Sequence, residues 1–203
     1  MEEKELKIVQ GATKVFMQYG IKSVNMDDMA RHLGVSKKTI YQFVKDKEEL
    51  IRKSIMGYCD VEDQQICSIE KKHLNAIDES LEIMNMVTNM LKNVHPSVIY
   101  DMEKYHPEIF SELRDSRNKT IFNSILNNMK KGQKEGYYRK DFNPDIIIRL
   151  YMTHMNVMLD HHLFPEQKWS LVELYKESWA YHIRGIASPK GEEYLQKKIK
   201  QIK

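Results

Sequence analysis

Apolar residues recur along this chain at intervals of three and four, and alternating β-branched runs are absent, so the pattern predicts helix nearly throughout. Leu6, Val9, Ala12 and Phe16 form the stripe of a first helix over about residues 2–19, which Gly20 stops. Asn25 opens a short second helix as N-cap, with Asp28 three residues on as in a capping box, and Gly34 closes it. Ser36 caps a third helix. Asp46 caps a fourth, with Glu48 and Glu49 in the first turn, where the helix dipole favours acids. The fourth helix is expected to reach about residue 74 and a fifth to span about 76–93, with breaks at His95-Pro96 and Pro107. A long amphipathic helix then carries Phe110, Leu113, Ile121, Phe122, Ile125, Leu126 and Met129. GQKEGYYRKDFNPD, residues 132–145, reads as the clearest turn. Helices over about 144–162 and 170–187 follow, then Ser188-Pro189 and a basic tail.

Composition bounds this picture. With 203 residues, 41% of them hydrophobic, the chain can bury a real core, as one domain or as a small domain joined to a larger one. Charged residues make up 30%, and no apolar run approaches the roughly eighteen residues of a membrane span. The opening MEEKELK does not read as a secretory signal, so a cytoplasmic protein without a membrane partner is expected. Cys59 and Cys67 stand eight apart in a helical pattern, a rise of about 12 Å and too far for a disulfide within one helix; two buried thiols are expected.

Net charge is +3, and its location is informative. Residues 1–58 hold eleven Lys or Arg against eight Asp or Glu, and the remainder balances. Between Met29 and Lys45 there are four basic residues and no acidic one. A basic patch at one end of a near-neutral protein suits a polyanion there. The local pattern gives that patch a shape. Two helices joined by LGVS and crossing steeply need a small side chain at the crossing, Ala30, and a residue tolerant of positive φ in the turn, Gly34. Met29, Leu33, Val35, Ile40 and Phe43 fall where these helices meet each other and the first helix. Lys37, Lys38, Thr39, Tyr41 and Gln42 point away, a polar and basic face that suits a major groove. The plainer reading is a helical hairpin with a solvated face.

VSKKTIYQFVKDKEELI closely resembles the signature of the tetracycline-repressor (TetR) family of bacterial transcriptional regulators, as does a helix ending in YG followed by SVNMDDMARHLGVS. The resemblance covers residues 8–52. It implies an all-α fold of nine to ten helices: a three-helix N-terminal DNA-binding domain with a helix-turn-helix, residues 1–46, and a C-terminal helical ligand-binding and dimerisation domain, residues 47–203. By that resemblance Asn25, Tyr41 and Lys47 meet phosphates. Ser36, Lys37, Lys38 and Thr39 open the recognition helix, where base edges and nearby phosphates are met, and Gln42 reaches bases or backbone. Two residues depart from the pattern: Lys38 stands where many members have Gly, and Val44 where Phe is usual. The implied protein is a ligand-responsive repressor, homodimeric on a palindromic double-stranded operator.

The rest of the chain says less. Met is abundant, and Met86, Met90 and Met102 lie near Tyr100, Tyr105 and Phe110 in sequence. With Phe122 they are the candidate lining of the pocket that the resemblance implies, for a small apolar or aromatic effector. Each of them alone reads more readily as helix-bundle core. Leu150, His154, Val157, Met158 and His161 on one helix, and Leu174, Ser178 and His182 on the next, are the candidate dimer seam, although such stripes also serve a monomer's own core. No cofactor, metal site or enzyme is expected: there is no Gly-rich phosphate loop, no nucleophile context and no zinc spacing. The competing function is a helical interaction protein using its basic N-terminal hairpin on a partner other than DNA.

Overall fold

A computed structural model of the chain describes residues 3–160, 162–165 and 167–202, of which 199–202 by backbone alone. The described residues form ten helices: α1 (Glu3–Tyr19), α2 (Met26–Leu33), α3 (Lys37–Ile40), α4 (Lys47–Glu70), α5 (Ala76–Leu91), α6 (Ser97–Tyr105), α7 (Pro107–Glu135), α8 (Pro144–Val157), α9 (Leu171–Ile186) and α10 (Pro189–Ile202). No helix among them is long and apolar enough to cross a membrane. Packing divides the chain into two compact units, one of residues 1–64 and 93–117 and one of residues 65–92 and 118–203.

The first unit is closed by the stripes that the sequence displays. Ile8, Ala12 and Phe16 of α1 pack with Met29 of α2, Ile40 of α3, Leu50 and Ile51 of α4, and Val98, Met102 and Ile109 from α6 and α7. Val44 is 3% exposed and belongs to this core. Two glycines are fixed by geometry. Gly20 ends α1 at φ +84°, and a Cβ there would stand 2.6 Å from Ser97 Oγ. Gly11 lies inside α1 because a Cβ would come within 2.4 Å of Leu33 Cδ2, so α1 and α2 touch at that point.

The second unit packs Ile77, Leu81 and Met84 of α5, Met129 of α7, Ile148 of α8, Tyr175, Trp179 and Ile183 of α9, and Leu195 of α10 around Tyr138. Tyr138 is 1% exposed. Its hydroxyl donates to the Ala76 carbonyl at 3.2 Å and to Asn128 Oδ1 at 3.0 Å, and burial holds its pKa far above the ordinary value.

Several boundaries differ from those the pattern suggests, each for a local reason. α4 stops at Glu70, because His73 takes φ +54° and Asn75 must be extended to cap α5, its Oδ1 accepting from the amides of Ile77 and Asp78. α8 ends at Val157, and Asp160 Oδ1 then accepts from the amides of His162 and Leu163. Residues 132–135, part of the expected turn, continue α7; Gly132 is there because a Cβ would lie 2.1 Å from the Tyr138 ring, and Gly136 at φ +79° is what ends the helix. The basic tail is helical as α10, held by Lys198 to Asp78 at 3.1 Å and by the Tyr194 hydroxyl to Asp78 at 2.6 Å. Of the two thiols expected to be buried, Cys59 is partly buried and Cys67 is exposed.

Candidate nucleic-acid interface

The interface is built from the ends of short helices. Asn25 is extended (φ −92°, ψ 175°), and its Oδ1 accepts from the amides of Asp27 and Asp28 at 2.9 Å each, while Asp28 Oδ2 accepts from the Asn25 amide at 3.3 Å. This closed capping box fixes where α2 begins. Gly34, at φ +66°, ends it, with amides returned to the Ala30 and Arg31 carbonyls. No atom lies within 4 Å of where a Gly34 Cβ would stand, so the backbone conformation, not space, requires glycine. Ser36 then caps α3, its Oγ accepting from the Thr39 amide at 3.0 Å.

α3 is one regular turn, Lys37–Ile40, with Tyr41 as its C-cap and Gln42 in the turn beyond. Its inner side is spent on Ile40, 0% exposed, and Val44. Ser36, Lys37, Lys38, Tyr41 and Gln42 are exposed together on the outer side, with Thr39 half-buried. The Lys37 ammonium donates to Asp27 Oδ2 at 2.9 Å, and that bond raises its pKa. The pair is solvent-exposed, and such a pair is readily exchanged for a phosphate.

Lys47 sits differently from the rest. It is half-buried, and its ammonium donates to the Ile21 carbonyl at 2.8 Å; burial lowers its pKa, against the opposing pull of Asp101. It braces the turn between α1 and α2 and opens α4 beside it.

That turn is held from its other side by a residue that sequence reading missed. Asp101 of α6 is 5% exposed, and its Oδ2 accepts from the amides of Ile21 at 3.1 Å and Lys22 at 3.0 Å and from Ser97 Oγ at 3.3 Å. The sequence signal was Gly20 itself, whose need for φ > 0 marks a turn with unpaired amides. Two further braces join the helices. Lys53 donates to Glu5 at 2.8 Å and to the Phe43 carbonyl at 3.0 Å, and His106 Nδ1 meets Glu48 Oε2 at 2.7 Å. The lone Gly11 in the stripe of α1 could have signalled the close approach of Leu33.

The other candidate residues are placed as follows. Met102 is 3% exposed within the first core, and Phe110 packs on that core. Tyr100 and Tyr105 are exposed on α6. Met86 and Met90 are half-buried on α5. Phe122, with Met152, lines a groove of about 580 Å³ in the second unit, together with Asn118, Lys119, Arg149, Thr153 and Asn156. The Arg149 guanidinium lies over the Phe122 ring at 5.3 Å. Leu150 and Val157 are exposed, as is Ile146 on the same helix, and His154 is exposed as well. Met158 packs in the second core, and Leu174 packs against it. Ser178 Oγ is buried without a hydrogen-bond partner among the described residues. His182 stacks on Tyr151 at 4.0 Å between ring centroids, and burial, then the nearby His154, pushes its pKa down to about 4. His161 lies outside the described residues.

Comparison with known proteins bears on the exposed face of α2 and α3. The sequence model described as "Bacterial regulatory proteins, tetR family" matches residues 8–53. YhgD of Bacillus subtilis (strain 168), an uncharacterized HTH-type transcriptional regulator, is 48% identical over 50 residues, 25% of this chain and 26% of that one. YvaF of the same organism, with the same description, is 22% identical over 158 residues, 76% of this chain and 80% of that one. Among solved structures, a putative transcriptional regulator from Saccharomonospora viridis in complex with choline matches with a TM-score of 0.74 at 15% identity, covering 93% of this chain and 100% of that one. At that identity the likeness is one of fold.

Proposed function

We propose that this chain, a member of the tetR family of bacterial regulatory proteins, represses transcription as a homodimer bound to a palindromic operator and released or retained by a small effector. The observation that carries the reading is the one-sidedness of the α2–α3 unit. Its apolar side is consumed by the core, while Ser36, Lys37, Lys38, Tyr41 and Gln42 stand open together. Of these, Ser36 caps α3 and Lys37 pairs with Asp27, and Lys38, Tyr41 and Gln42 lie outside both core clusters of the described residues. A cationic edge with hydroxyl and amide groups is what phosphates and base edges of a major groove accept. On this reading residues 1–46, with Lys47 at the start of α4, carry the DNA contacts, and Asn25, Tyr41 and Lys47 place the helices against the backbone. Lys47 makes its phosphate contact with the ammonium protons that Ile21 leaves free.

Residues 47–203 supply the dimer and the effector site. The exposed Ile146, Leu150 and Val157 on α8 support a seam there, with His154, Leu174 and the region of His161 contributing; Met158, Ser178 and His182 back it from within. Met86, Met90 and Phe122 are the effector-side residues, and an apolar or aromatic compound suits them. α4 is unbroken from Lys47 to Glu70, so an effector that favours one tilt of α4 changes the spacing of the recognition helices. A coupling of about 1–3 kcal/mol is sufficient for a 5- to 150-fold change in affinity.

Selection of duplexes from a random pool with the purified protein tests the reading. A symmetric consensus is expected, with half-sites about one helical turn apart and affinity falling steeply with salt. No enrichment, or an affinity indifferent to salt, would leave the competing reading of a helical interaction protein in its place.

A further inference from the structure

The C-terminal half of α6 carries a second cationic surface that the operator-reading face does not use. Lys22, three residues before the α2 N-cap, donates from its ammonium to the Tyr105 hydroxyl at 2.7 Å and sits 4.4 Å from that ring's centroid. Lys104 donates to the Tyr100 hydroxyl at 2.6 Å and lies 5.0 Å from the Tyr100 ring and 5.5 Å from the Tyr105 ring. The two rings meet edge to face at 6.5 Å. Lys104, Tyr100 and Tyr105 are all exposed. Of the two carboxylates on α6, Asp101 is buried and spent on backbone amides, which leaves Glu103 as the exposed one.

Neighbours of this cluster in the chain are bonded to the start of α4. Lys22 follows Ile21, whose carbonyl takes the Lys47 ammonium. His106, next to Tyr105, is bonded to Glu48 in the first turn of α4. Two ammonium groups held over tyrosine rings, each with N–H groups left over, make a set of donors suited to phosphate oxygens. The side chains of Tyr100, Lys104 and Tyr105 are exposed, so a strand running past can reach them. Lys22 lies three residues before Asn25, one of the residues assigned to the backbone contact above.

We propose that Lys22, Tyr100, Lys104 and Tyr105 grip backbone phosphates of the operator duplex just outside the half-site read by α3, so that the first unit covers more DNA than its helix-turn-helix alone. This rests on the DNA-binding reading above. The surface adds affinity and length of footprint without adding sequence preference, because phosphates carry none.

Lys104 offers a clean test, because both of its aromatic partners lie on its own helix and its removal breaks no contact between elements. Fluorescence anisotropy would compare a selected duplex trimmed to the outer edges of its half-sites with one extended by about one helical turn, about 10 base pairs, on each side. The intact protein is expected to bind the extended duplex several-fold more tightly. Lys104→Ala should lose that gain on the extended duplex, leave the trimmed one unchanged, and reduce the salt slope on the extended duplex by about two for a dimer, about one per lysine removed. Lys22→Ala should act in the same direction. Equal losses on both duplexes, or none on either, overturn the proposal while the DNA-binding reading stands. Failure of the intact protein to bind either duplex overturns both.

Discussion

The two units spend their polar side chains with different emphasis. In the first, Asn25, Ser36 and Asp46 close helix ends, and Lys37, Lys38, Tyr41 and Gln42 are left outside on one face. In the second, polar groups reach across helices and are covered. Glu79 is 5% exposed and takes Lys131 at 2.6 Å and Asn128 at 2.7 Å; Trp179 Nε1 donates to Ser80 Oγ at 2.9 Å; Tyr138 bonds Asn128 and Ala76. A short helix cannot stabilise itself without its caps, so the first unit needs local polar chemistry and can leave one side open for a partner. Long helices have turns to spare, and their interior polar pairs fix which helix meets which. The first unit is therefore arranged around an exposed surface, and the second around an interior.

The largest effect that would sharpen this contrast concerns His182 in the second unit. Burial holds its pKa at about 4 against an ordinary 6.5. The unfolded chain takes up a proton as the pH falls through 6.5, while the folded chain stays neutral until about 4. Stability is therefore complete above pH 6.5 and is lost progressively down to pH 4, by at most about 3 kcal/mol at about 1.36 kcal/mol per pKa unit. Chemical denaturation at pH 7.5 and pH 5 should show the loss, and His182→Phe, which keeps a ring against Tyr151, should reduce it. An equal pH dependence in the variant would mean that the charge of the second unit's interior is controlled elsewhere.

The next effect tests the exception in the first unit, the buried Asp101. Asp101→Ala leaves the amides of Ile21 and Lys22 without their acceptor and should cost about 2 kcal/mol of stability. It should also weaken operator binding, since α2 starts from that turn and Lys47, the first residue of α4, is bonded to it. Asp101→Asn keeps an acceptor oxygen and should restore most of both. If neither stability nor operator binding changes in Asp101→Ala, then the turn is held by Lys47 alone.

What the sequence made legible follows the same division. The capping box at Asn25, the left-handed Gly34, the Ser36 cap and the burial of Met29 and Ile40 depend on residues two to four apart, and local chemistry decides them. The bonds of Asp101 to Ile21 and Lys22 and of Tyr138 to Ala76 span some 60 to 80 residues of sequence, and no spacing announces them. Gly132 looked like part of a turn because a glycine required by a neighbouring ring has the same letter as one required by φ. Met102 looked like a pocket residue because the side chain that suits a pocket also suits a core. Lys47 was recognised by position, but its bond to Ile21 depends on a turn 26 residues earlier.

The smallest effect probes the open face itself. Lys37 is held by Asp27 at 2.9 Å in the free protein, so a carboxylate stands where the reading places phosphate. Asp27→Ala frees the lysine and removes a charge that repels the duplex. It also removes an acid from the first turn of α2, where the helix dipole favours one, so the fold should become slightly less stable. Operator affinity should rise at the same time, by about twofold to fivefold, since an exposed pair of this kind is weakly held. Opposite signs in the two measurements, denaturation and anisotropy, are what a face reserved for DNA demands. A fall in both would make the Lys37–Asp27 pair part of the scaffold, and would move the polyanion contact off the start of α3.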